Sequence, residues 1–188
     1  MSGWEWVLLL LVLPLLFLAL YIRGLAARLD RLHLRVEASE AVLDARLERR
    51  AALTKEVALE VGLDPASAVL LLDAASAAQH SERSAEARAI AESDLSAALR
   101  AVFADDESVT DLADDPESRA SLTDLAEVCV GAALARRFAN DAVRAAIAVR
   151  RRGIVRALHL AGHADWPQNR DLDDAPPEAL SRFALDSA

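Results

Sequence analysis

The chain has 188 residues and a net charge of −9, with 30 acidic against 21 basic side chains. That balance lacks the basic footprint that nucleic acid requires, so no nucleic-acid partner is expected. A single cysteine, Cys129, excludes an internal disulfide and fits a reducing cytoplasm. Alanine and leucine dominate, and glycine, proline and aromatic residues are few, which predicts an all-α fold.

The first element is apolar. Gly3 to Ile22 reads GWEWVLLLLVLPLLFLALYI, with one charge, Glu5, near its edge. Twenty helical residues span roughly 30 Å, the thickness of a bilayer's hydrocarbon core. Trp4, Trp6 and Tyr21 stand where aromatic rings settle at headgroups. Pro14 falls mid-span, where lipid-embedded helices tolerate it. A cleaved signal peptide fits less well. Met1 to Trp6 carries no Lys or Arg, and bulky Tyr21 and Ile22 sit where cleavage would fall. Residues 1–23 are therefore expected to be a transmembrane anchor in contact with membrane lipid. Arg23, Arg28, Arg31 and Arg35 follow the span, and no basic residue precedes it. The positive-inside rule then places the N-terminus outside and the C-terminal part in the cytoplasm.

Helical periodicity continues beyond the span through Leu25, Leu29, Leu32, Val36, Leu43, Leu47, Ala51, Val57 and Val61. One helix is expected to run to about Val61, with Gly62 as its stop. Asp64-Pro65 restarts a helix, Asp as N-cap and Pro at the first position. That second helix is expected to reach about Ala104, with a break near Gln79 to Ser84, where its alanine-rich middle packs weakly. Asp105 to Asp115 reads as an acidic loop. It lacks the order of a calcium-binding loop, so a solvated loop is favoured over a cation site. Residues 62–120 hold thirteen acidic side chains against four arginines. Asp115-Pro116 opens a third helix, expected to end near Arg152-Gly153. Three rods of about 55–60 Å would form an antiparallel up-down bundle over residues 24–162, closed by a short helix at Ile154 to Leu160. On that layout the acidic loop is membrane-proximal. Residues 163–188 read as a mostly flexible acidic tail, with a helical turn at Glu178 to Leu185.

Two blocks carry a resemblance. Leu32 to Ala58, LHLRVEASEAVLDARLERRAALTKEVA, resembles the signature of the LemA family, in which a membrane span leads into a helix patterned Val, Ala, Asp, Leu-x-Arg-Arg and Leu. The matching positions are Val36, Ala41, Asp44, Leu47, Arg49, Arg50 and Leu53. Ala135 to Val143, ARRFANDAV, resembles that family's second block, through Arg136, Arg137, Phe138, Asn140, Asp141, Ala142 and Val143. The chain departs from the pattern at Ala139, where the family has Tyr. It departs again at Thr54 to Val57 and at Arg151 to Gly153. The resemblance implies a membrane-anchored helical bundle with a cytoplasmic body and no established reaction or cofactor.

The polar motif residues invite structural readings. Adjacent helical residues point about 100° apart, so one member of Arg49-Arg50 and of Arg136-Arg137 must approach the bundle seam. Paired with Asp44 or Asp141, such arginines would fix helix register; the other reading is a solvated pair. Asn140 is expected to make an interhelical hydrogen bond; the other reading places it on a partner-binding surface. Arg150, Arg151, Arg152 and Arg156 form a basic patch, suited to an acidic partner or to the helix C-terminus. Cys129 lies on an apolar face and reads as a buried thiol. His159 and His163 have the spacing of two metal ligands on one turn, although solvated histidines are favoured. No catalytic constellation stands out. The expected function is a non-enzymatic, membrane-anchored scaffold for an unidentified protein partner. The alternatives are a metal-binding protein or enzyme centred on His159 and His163, and an envelope-facing bundle of inverted topology.

Overall fold

The computed structural model describes residues 3–81, 84–157 and 166–186. Its described residues contain helices and no strand. The elements are α1 Gly3–Glu60, α2 Pro65–His80, α3 Ala85–Val102, α4 Asp106–Leu112, α5 Pro116–Arg150, α6 Gly153–Ala157 and α7 Glu178–Asp186. They divide into two compact units. The first combines residues 1–38 and 141–168, the second 39–140 and 169–188.

In the first unit, α1 carries its apolar run outward. Residues 9–21 are all exposed, including Leu10 and Phe17. Within α1 lies the one stretch among the described residues long and apolar enough to cross a membrane, and only 6% of its most apolar window is buried. A core helix of a soluble protein would be mostly buried, whereas a signal sequence shares this length and composition. Farther along, the α1 stripe packs against the end of α5. Leu25 and Leu29 cluster with Val149 and Val155, and Val36 with Ala142, Val143 and Ala146. Rising numbers on α1 meet falling numbers on α5, so the pair is antiparallel.

The second unit holds the main core. Leu43 and Leu47 of α1 cluster with Ala132, Ala135 and Ala139 of α5. Val57, Leu71, Leu95, Leu99, Leu122 and Leu125 belong to a larger cluster that draws on α1, α2, α3 and α5. The start and stop signals act as expected. Gly62 takes φ +68°, a left-handed turn that glycine enters without Cβ strain. The Asp64 carboxylate accepts from the N–H groups of Ala66 and Ser67, with Pro65 at the first helical position. Asp115 caps α5 in the same way, through Glu117 and Ser118.

Three expectations need correction. First, the break expected near Gln79 to Ser84 divides the second rod into two helices. α2 ends at His80, and α3 starts at Ala85 on a Ser84 cap and packs against α2. The chain therefore turns back after His80, and three equal antiparallel rods do not form. Second, Asp105 to Asp115 is not a loop. Asp105 caps α4 through Ser108, acids fill the first turn, where the helix dipole favours them, and Val109 and Ala113 anchor the element in the core. Asp115 and Glu117 line a pocket together with Glu60, at the end of α1. Third, the tail is not loose over its described residues. α7 buries Ala179 and Leu180 in the main core and packs against α4.

Two of the capping carboxylates are shifted by the hydrogen bonds they accept. Hydrogen bonds from the Ser67 hydroxyl and N–H hold the Asp64 carboxyl below its ordinary range. The Ser108 N–H, and then its hydroxyl, do the same for Asp105.

The two seam leucines, Leu43 and Leu47, are 1% and 2% exposed. Leu43→Ala or Leu47→Ala should each lower unfolding free energy by about 2–5 kcal/mol. Glu48→Ala, on the exposed face, should stay within about 0.5 kcal/mol. Chemical denaturation of the full chain in mild detergent checks the contrast.

Candidate functional site

The motif residues separate into an inward and an outward set. Arg50 is 1% exposed and lies in the second unit, as the tandem-arginine argument requires; Arg49 is exposed. The partner differs from the expectation. Arg50 pairs with Glu92 of α3 and not with Asp44 or Asp141. Its Nη2 donates to Glu92 Oε2 at 2.6 Å and to the Glu92 carbonyl at 3.1 Å, and its Nη1 donates to Ser96 Oγ at 3.0 Å. Glu92 and Ser96 are themselves buried. Arg50 Nε has no hydrogen-bond partner among the described residues. Two desolvated charges on different helices fix the position of α3 against α1, since sliding either helix would leave one charge unpaired.

Arg136 turns inward while Arg137 is exposed. Its partner is Asp174, again not Asp141. Nε and Nη2 grip the two carboxylate oxygens at 2.5 and 2.8 Å, a bidentate fork. Hydrogen bonding by Asp174 raises the Arg136 pKa above its ordinary value. Asn140 is buried. Its Nδ2 donates to the Arg170 carbonyl at 3.1 Å, and its Oδ1 accepts from the Arg170 N–H at 2.8 Å. The hydrogen bond is structural, but it joins α5 to the C-terminal segment and not to another helix. Asp141 pairs at the surface with Arg144. Asp44 is half-buried and faces Arg88 at 3.2 Å and Arg170 at 3.9 Å.

A cleft of about 700 Å³ opens between α1, α2 and α3, lined by Asp44, Glu48, Gln79, Ser81, Arg88 and Glu92. Its lining mixes these polar groups with alanines and Leu47, and Asp44 and Arg88 pair within it. Among the described residues no group of His, Cys, Asp and Glu gathers with metal-ligand geometry. His159 and His163 lie outside the described residues. Cys129 is buried, and burial pushes its thiol up to about 11, only partly offset by the nearby Arg50 charge. Burial favours the protonated thiol at neutral pH.

The basic patch divides as well. Arg150 is buried in the first unit, its guanidinium 4.9 Å from the centroid of the Trp166 ring, a cation–π contact. Arg151, Arg152 and Arg156 are exposed.

Sequence reasoning missed Glu92, Ser96, Arg100, Asp173 and Asp174. A signal existed for the first two: Glu92 and Ser96 sit one turn apart beside Leu95 and Leu99, a charge on an apolar stripe. Nothing local distinguishes Asp173 and Asp174 from a solvated acidic run. A comparison of the chain with protein-family models, curated proteins and solved structures finds no match.

Removing one side of the buried pair strands the other charge. Glu92→Ala should destabilise by about 3–5 kcal/mol, and replacing Arg50 and Glu92 together by Met and Leu should recover most of that loss. Thermal and chemical unfolding of the single and double variants will measure the difference. Asn140→Ala should lower stability by about 1–3 kcal/mol, since the Arg170 backbone groups lose their partners. Amide exchange should speed up at residues 169–175 in that variant. An unchanged melting curve together with unchanged exchange would contradict the structural role.

Proposed function

We propose that this protein is a membrane-tethered, non-enzymatic helical scaffold of the LemA type, with its body from residue 24 onward in the cytoplasm and offered to protein partners. The observation that carries the reading is how the motif groups are used. Arg50, Arg136 and Asn140, the polar residues of the two resembling blocks that turn inward, are satisfied within the chain by Glu92, Asp174 and the Arg170 backbone. Groups engaged in this way build an architecture; they do not stand ready for a substrate. The outward-facing apolar run at residues 9–21 supports the tether, and the arginines at 23, 28, 31 and 35 support the orientation.

The tether is tested by carbonate washing of membranes, where the protein should stay in the pellet. A reporter fused to the C-terminus should be active only in the cytoplasm. Replacing Arg23, Arg28, Arg31 and Arg35 by Glu should weaken or invert that orientation. Recovery of the intact protein in the soluble fraction would end the reading. Proximity labelling from the body should return a reproducible set of cytoplasmic proteins. A labelling profile no different from that of a bare membrane anchor would remove the scaffold role.

A further inference from the structure

The C-terminal segment is held by side chains that together have the make-up of a peptide-recognition surface. Asn140 pairs with both the N–H and the carbonyl of Arg170, which reads main chain and not a side chain. Arg100 forks onto Asp173, with Nη2 to Oδ2 at 2.6 Å and Nη1 to Oδ1 at 3.2 Å. The same Nη1 donates to the Ala175 carbonyl at 2.9 Å. Arg136 forks onto the neighbouring Asp174. Ser93 Oγ accepts from the Asp173 N–H at 3.0 Å. Between these polar clasps, Leu172 packs against the cluster of Leu43, Leu47, Ala132, Ala135 and Ala139. Pro177 is buried, and Leu180 enters the main core just beyond it. Backbone pairing, two arginine forks for consecutive acids and a seat for one leucine are the parts from which acidic-peptide recognition is built.

We infer that the surface formed by Ser93, Arg100, Arg136 and Asn140 is a binding site for an acidic peptide of the pattern Leu-Asp-Asp-x-Pro-Pro, occupied in this chain by its own residues 170–177 and accessible to a segment of the same chemistry from a partner protein. The inference deepens the scaffold reading and rests on it for the existence of a protein partner. The tail is then an intramolecular competitor, present at the millimolar effective concentration that tethering confers. Its grip is releasable because part of it faces water. The side chains of Arg100 and Asp173 are 34% and 48% exposed, so salt and competing carboxylates reach them. Arg100 also holds the Asp173 carboxyl below its usual range, so the fork persists at neutral pH and weakens only in acid.

The test weakens the tail and leaves the surface intact. In the full chain purified in mild detergent, Asp173→Asn with Asp174→Asn should release residues 169–177, seen as faster amide exchange there. A fluorescent peptide spanning residues 169–186 should bind this variant at least tenfold more tightly than it binds the wild-type chain. Adding Arg136→Ala should abolish the gain, and a peptide with residues 170–177 scrambled should not bind. If the double substitution impairs folding by circular dichroism, Asp173→Asn alone serves as a partial release, with a smaller gain in peptide binding that Arg136→Ala should likewise abolish. Three results overturn the inference: no gain in peptide binding once the tail is released, a tail that stays protected without its carboxylates, or equal binding of the scrambled peptide. A wild-type dimer that Arg136→Ala dissolves would assign the surface to a second copy instead. Loss of the proximity-labelling partners with peptide binding intact would count against the scaffold reading alone.

Discussion

In the second unit the seam between α1 and α5 is built from large residues on one side and small ones on the other: Leu43 and Leu47 meet Ala132, Ala135 and Ala139. Small side chains let helix backbones come close. They also bury little area, and apolar burial yields only about 25 cal/mol per Å². A seam of this kind favours contact without strongly favouring one register over another. The polar clasps fix alignment elsewhere, between α1 and α3 and between α5 and the C-terminal segment. Arg50 with Glu92 and Ser96, Arg136 with Asp174, and Asn140 with Arg170 each join segments distant in sequence by directional bonds that tolerate no sliding. Apolar contact brings α1 and α5 together, and the charged groups set the alignment of α3 and of the C-terminal segment.

How much of this was legible in the sequence follows from how local each signal is. Helix identity, the Gly62 stop, the Asp64-Pro65 and Asp115-Pro116 starts and the break after Gln79 depend on neighbours within one turn, and all were readable. The inward direction of one arginine in each tandem pair followed from helix geometry alone. Their partners did not, because Glu92 and Asp174 lie 42 and 38 residues away from the arginines they meet. No residue near Asp44 or Asp141 could reveal that a more distant carboxylate would win. The acidic stretch at 105–115 was misread for a different reason. Its composition is that of a loop, but a Ser three residues after a capping Asp, followed by Val109, Leu112 and Ala113 at helical spacing, outweighs composition.

The C-terminal segment shows the same principle in reverse. Asp171, Asp173, Asp174 and the two prolines have the make-up of a chain that stays solvated. Such a segment becomes ordered when a surface elsewhere supplies counter-charges at matching intervals, here Arg100 on α3 and Arg136 on α5. Order in that segment is therefore a property of the helices behind it. It cannot be read from the acidic run itself.

The aspartate caps have a consequence for how the body comes apart in acid. Asp64 and Asp105 both bind their protons less readily when folded, because serine hydroxyls and backbone N–H groups favour the ionised form. That contribution is in place above the ordinary carboxyl range and is lost as the pH falls through the lower folded values. Both carboxylates are solvent-exposed at helix starts, so protons reach them without any opening of the core. Acidification should therefore fray α2 and α4 from their first turns, ahead of collapse of the leucine core.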